Sequence, residues 1–262
     1  MTLALTLSAA QAALGLVSGS LVGFTLGLVG GGGSILAAPL LVYLVGVASP
    51  HEAIGTSAVA VAINALVNLI DHARRGNVKW PCGLVFAGAG FLGAWGGSSI
   101  GKAVNGQALL AAFGGLMIVI GAYSFLRRGR EGEPKVRLSS SNAAPLVVAG
   151  IGAGALSGFF GIGGGFLIVP ALMMATGMPP LYAIGTSLVA VASFGAATAG
   201  NYALSGLVNW PLAALFVLGG VLGGRLGAGA AARLSLAKGR LEASFALFVV
   251  AVGVYVIARA FM

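Results

Sequence analysis

The few polar side chains of this sequence stand at repeated positions. The run Gly30-Gly31-Gly32-Gly33-Ser34 opens one short apolar stretch, and Gly161-Ile162-Gly163-Gly164-Gly165 opens another. A helix start presents unpaired N–H groups and a partial positive charge, which suits an anion. Glycine lets the ligand approach that backbone closely. Gly32, Gly33, Ser34, Gly163, Gly164 and Gly165 are therefore candidate anion-binding residues. The competing role is close helix packing through small residues, which is the preferred reading for Gly93, Gly97, Gly223 and Gly227, where no break in the apolar pattern occurs.

A second candidate is a polar helix face. Ser57, Asn64, Asn68 and Asp71 are spaced by seven, four and three residues, so they share one side of a helix. Ser187, Thr198 and Asn201 occupy the equivalent positions of a second copy, where Phe194 replaces Asn64. Thr56 and Thr186 sit beside the serines. Hydroxyls and amides donate hydrogen bonds to an oxyanion without carrying a full charge, so they permit release as well as capture. The two Thr-Ser pairs read as substrate-facing because both copies hold them at the start of a helix. For Asn64, Asn68 and Thr198, ligand contact and interhelical hydrogen bonding remain equally open, and Asn201 joins the candidates by register.

Ionisable groups are scarce. Glu52, Asp71, Glu131, Glu133 and Glu242 are the only acids, and none sits in the middle of an apolar segment. An intramembrane proton relay ordinarily uses a buried acid or histidine. Coupling through Glu52 or His72 stays open, as does sodium. Arg225 lies within an apolar segment, where it either snorkels to the interface or attracts anions. The histidines have no zinc-ligand spacing, and the lone Cys82 cannot build a thiolate site, so no metal is expected. Gly150 to Ala155 resembles a dinucleotide fingerprint but follows no strand. No lysine follows the glycine runs as a nucleotide loop would need. No cofactor is implied, and without a paired-acid, nucleophile–base or metal constellation the chain does not read as an enzyme.

The elements that hold these residues are apolar. Of 262 residues, 58% are hydrophobic and 7% charged, whereas a soluble domain carries about 25% charged residues. Most of the surface must therefore face lipid. Ten apolar segments stand out, at about 8–29, 34–47, 53–70, 81–101, 106–126, 144–162, 165–177, 182–204, 210–231 and 240–260. The first is read as a membrane segment rather than a cleaved signal, because Met1 to Ala13 lacks a basic region. The second and seventh are too short to span, each following a glycine run.

The halves repeat. Gly27, Gly30, Gly32, Gly33 and Pro39 recur 131 residues later as Gly158, Gly161, Gly163, Gly164 and Pro170. Residues 53–62 recur at 183–192 with nine of ten positions identical, and Trp80-Pro81 recurs as Trp210-Pro211. The organisation is a first membrane repeat at 1–126, a linker at 127–143 and a second repeat at 144–262. The fold class is an all-α polytopic membrane protein of two inverted-topology repeats, about five segments each, with short or broken second segments.

Five segments per half invert the second half. The net charge of +9 comes from basic clusters at Arg74 to Lys79, Arg127 to Arg137 and Arg233 to Arg240. With alternate crossings all three lie on one side, which is cytoplasmic by the positive-inside rule. The uncharged loop 203–209 is then external. This distribution argues against a nucleic-acid partner.

The sequence resembles the sulfite exporter TauE/SafE family of membrane permeases. The resemblance is carried by Gly27 to Ser34 with Pro39, by Gly55-Thr56-Ser57, by Gly76 to Trp80-Pro81, and by the second-half copies through Gly223 to Gly227. It implies a permease of the cytoplasmic membrane for small sulfur-containing anions such as sulfite or organosulfonates, often outward. Ser34 is matched by Gly165 and Asn64 by Phe194, so the half-sites need not contribute equally. The expected function is secondary transport by alternating access, the alternative an uncoupled anion channel using the same helix ends. A small anionic substrate and the lipid bilayer are the expected partners, and assembly as a homo-oligomer is left open.

Overall fold

The structure, a computed structural model, describes residues 7–29, 34–126, 136–161, 165–234 and 240–260. The described residues form helices at all ten apolar segments. These are α1 (Ala9–Val29), the irregular α2 (Ser34–Leu44), α3 (Pro50–Arg74), α4 (Trp80–Ala103), α5 (Gly106–Leu126), α6 (Ser140–Phe160), α7 (Gly165–Thr176), α8 (Pro180–Leu204), α9 (Trp210–Leu234) and α10 (Arg240–Ala260). Among them, seven are long and apolar enough to cross a membrane, whereas the apolar stretches described in α2, α7 and α10 are shorter. No strand occurs among the described residues.

Local chemistry sets the ends. Prolines occupy the first turns of α3, α4 and α8, where a missing N–H removes nothing from the hydrogen-bond ladder. The Ser49 hydroxyl caps α3 by accepting from the Glu52 N–H at 3.3 Å. Gly161 ends α6 in the left-handed conformation, with φ +68°, a geometry that penalises side chains. Pro39 contributes no N–H within α2, and the following turn, Leu40–Leu44, widens to a π-helix.

Helix seams are built on small residues. Gly15, Gly19, Gly23 and Gly27 of α1 face Leu212, Phe216, Gly220 and Gly224 of α9, advancing four residues at a time on both sides. The constant step means that α1 and α9 run parallel. Gly150, Gly154 and Gly158 of α6 likewise face Phe86, Gly90 and Ala94 of α4. A Cβ at Gly23 or Gly154 would run into the backbone of the facing helix, so backbones touch here and dispersion acts over the full seam. Gly93, Gly97, Gly223 and Gly227 belong to these seams, consistent with a packing role.

The remaining inner helices join by the same logic. Asn64 and Asn68 of α3 face Gly220 and Gly224, so α3 runs parallel to α9. Thr186 meets Gly83, and Phe194 meets Gly90, so α8 runs parallel to α4. The short turn 75–79 makes α3 and α4 antiparallel neighbours in the chain. Thus α1, α3 and α9 run one way and α4, α6 and α8 the other. The sets meet where Gly195 packs on Ala58 and Ala62. Helices α5 and α10 pair with each other through Gly114, Gly121 and Gly253.

Candidate functional site

Helices α2 and α7 start next to one another in the interior. The N–H of Gly165 points to the Ser34 hydroxyl oxygen at 3.4 Å, and Ser34 is fully buried. Two short helices from different halves therefore begin at a common point. Gly32, Gly33, Gly163 and Gly164 lie outside the described residues. The end of α6 is held against α3, since the space where Gly161 lacks a side chain is taken by Ile54. That contact is one turn from Ser57.

Ser57 and Ser187 are buried on matching turns. The Ser57 hydroxyl donates to the Ile54 carbonyl at 2.9 Å, and Ser187 donates to Ile184 at 2.7 Å. Each hydroxyl hydrogen is held by its own helix, and rotation about one bond presents it elsewhere.

Thr56 and Thr186 have a different task. The Thr186 hydroxyl accepts the Lys79 backbone N–H at 2.9 Å, and Thr56 accepts that of Asn209 at 2.9 Å. Lys79 and Asn209 directly precede α4 and α9. Each threonine thus satisfies a donor beside a helix start in the opposite half. Gly185 and Gly55 allow the approach, because their missing side chains lie against the carbonyls of Asn77 and Leu207. Around Asn209 the tie is extended. Its side-chain N–H donates to Glu52 Oε1 at 3.1 Å, and its Oδ1 accepts from the Leu212 N–H at 3.1 Å.

Asn64 is fully buried, and neither its Oδ1 nor its Nδ2 has a hydrogen-bond partner. An unpaired buried amide is uncommon and costs on the order of 1–3 kcal/mol. Asn68, one turn on, donates to the Asn64 carbonyl at 2.8 Å. Both amides fit over glycines of α9. In the second half Phe194 stacks on Phe86, ring centroids 6.0 Å apart, at the place of Asn64. The Thr198 hydroxyl is buried without a partner. Asn201 is turned to α4, where it donates to Ser98 and Ser99 at 2.6 and 2.7 Å and accepts from Lys102 Nζ at 2.7 Å.

The structure therefore brings Ser34 and Gly165 together, and sets Ser57 beside the α6 end. It engages Thr56, Thr186 and Asn201 in ties between helices. Two residues gain a role that sequence spacing did not signal: Lys102 clamps the end of α8 through Asn201 and Ser205, and Asn209 anchors α3. His72, a coupling candidate from the sequence, is buried to 3% exposure. Arg225 is exposed, in keeping with snorkelling. Among the described residues no group of three His, Cys, Asp or Glu side chains could hold a metal ion.

Comparison with known proteins gives a consistent result. A family model described as sulfite exporter TauE/SafE matches residues 15–256. A probable membrane transporter protein of Xylella fastidiosa is 53% identical over 249 residues, covering 92% of this chain and 93% of that protein. The probable membrane transporter protein YunE of Bacillus subtilis is 32% identical, covering 82% of this chain and 85% of its own. One from Haemophilus influenzae is 30% identical, covering 91% and 95%. No solved structure matches.

Proposed function

The chain belongs to the sulfite exporter TauE/SafE family, a membrane transporter, and on that premise we propose that it moves a small sulfur-containing anion, sulfite or an organosulfonate, outward across the cytoplasmic membrane by alternating access. The anion sits between the halves, at the facing starts of α2 and α7. The observation that carries this reading is the meeting of Ser34 and Gly165. Two helix starts aimed at one interior point supply N–H donors and partial positive charge to a single anion. Gly32, Gly33, Gly163 and Gly164 extend the cradle. Ser57, Ser187 and the unpaired amide of Asn64 face it as neutral donors, with Asn68 and Thr198 behind them. Thr56, Thr186 and Asn201 support the walls.

The two repeats are inverted in this reading. Its support is directional: α1, α3 and α9 oppose α6, α8 and α4, and each pair of repeat-related helices has one member in each set. The basic turn 75–79 and the linker then share the cytoplasmic side, and the uncharged turn 205–209 is external. Without fixed positive charge near the centre, a divalent anion is held by dipoles and hydrogen bonds alone, which keeps release fast enough for turnover.

The test is exchange of labelled sulfite for internal sulfite in liposomes containing the purified protein, with everted vesicles reporting direction. Gly165→Val puts a branched side chain at the meeting point. The expected outcome is loss of exchange with retained helix content and monodispersity. Unchanged exchange in this variant would remove the helix-start site.

A further inference from the structure

Among the buried polar residues described, His72 is the only one that ionises near neutral pH. It is 3% exposed although it lies two residues from the end of α3, and neither ring nitrogen has a hydrogen-bond partner. The imidazole stands beside the backbone of Gly27 on α1 without bonding to it. Asn68 and Asn64 precede it at intervals of four, so the three side chains form one column along α3. Asn64 has both polar atoms unpaired at the inner end of this column, and His72 has both unpaired at the outer end. Buried polar atoms in such numbers call for water or an exchanging ion.

We propose that His72 is the proton-carrying residue that couples transport to the transmembrane pH gradient, with the Asn64–Asn68 amides supporting a short hydrated path between it and the anion site. This deepens the transport reading and rests on it. The neutral imidazole has one nitrogen lone pair. It takes a proton from water on one side of the membrane to become imidazolium, and returns that proton to water on the other side, so that no other reactant is needed. A monovalent metal ion fits the column less well, because the His72 nitrogens would remain unpaired.

The charges around the ring suit a switch. Asp71 and Arg75 on its own helix act on it, and the Arg75 guanidinium reaches across to the Ala228 carbonyl of α9 at 3.4 Å. Helix α1 carries no charged residue, and α9 carries Arg225, which is exposed, and Arg233 near its end. The repeat-related column in the other half is Phe194, Thr198 and Tyr202, with no group that titrates near neutrality. One proton site per chain follows, rather than two.

The same comparison supplies safe variants. His72→Tyr installs the residue that the other half holds at this position, and His72→Gln keeps polarity without titration. In liposomes, sulfite exchange at equal pH on both sides measures the transport pathway alone. Net sulfite flux under an imposed pH gradient measures coupling. With one proton moved per anion and no membrane potential, the wild type should drive sulfite to a steady-state concentration ratio of about tenfold for each pH unit of gradient. Both variants should retain equal-pH exchange and lose the response to the gradient. If either keeps the response, or if wild-type flux follows a sodium gradient and ignores pH, His72 is not the coupling group. Failure of the wild type to exchange sulfite would instead overturn the transport reading itself.

Discussion

Replacing Asn64 with leucine separates ligand contact from helix packing, because the two roles predict opposite signs. Asn64 is fully buried with an amide that bonds to nothing. Removing that amide in the empty protein deletes an uncompensated desolvation penalty of about 1–3 kcal/mol. Leucine has nearly the same shape, and Phe194 holds the equivalent place in the other half, so the packing cost is small. The variant should therefore melt higher, by about 2–4 °C per kcal/mol for a chain of this length. A hydrogen bond to a charged ligand contributes about 1.5–3 kcal/mol, so sulfite affinity should fall by about one to two orders of magnitude. The assay is thermal unfolding of the purified protein across a sulfite titration, since a ligand that binds only the folded state raises its stability. Higher intrinsic stability together with a displaced titration is the expected pair. A variant that melts lower and binds sulfite as the wild type does would show that Asn64 is a packing residue, and the central site would lose it.

Two further outcomes test the frame around the site. Gly23→Leu would force a side chain into the Gly220 backbone and should abolish monodisperse expression, whereas Gly96→Ala, with nothing within 4 Å of the added carbon, should be silent in size-exclusion chromatography. Thr186→Val strips the part-buried Lys79 N–H of its acceptor, at a cost of about 0.5–1.5 kcal/mol for one hydrogen bond; hydrogen exchange at 77–80 should accelerate, with residues 207–210 unchanged.

The ten helices were legible because lipid-facing segments need unbroken apolar runs, and such runs were read at every position. Their ends were less so. The run at 53–70 becomes Pro50–Arg74 because a capped, proline-led turn and a charged last turn are helical but not apolar. Helix α6 starts at Ser140 rather than 144 because the Ser139 N–H donates to Asn142 Oδ1 at 2.9 Å, which extends the helix into a stretch that reads as linker. At the site, spacing identified the polar face of α3 but not what it meets. Thr56 and Thr186 serve backbone groups 153 and 107 residues away, and no local pattern encodes such a partner. His72 sits amid Asp71, Arg74 and Arg75, a neighbourhood that suggests solvent, yet its own azimuth on the helix turns it inward.

The two polar columns differ: asparagine, asparagine and histidine in one half, phenylalanine, threonine and tyrosine in the other. In the proposed cycle the end states interchange the halves. Twin halves would give those states equal free energy and an idle carrier facing either way equally often. Unequal columns lift that degeneracy. The resting orientation becomes an evolvable quantity, set by which column is wetted when no cargo is aboard, and duplicated architecture can thereby acquire a preferred direction of work.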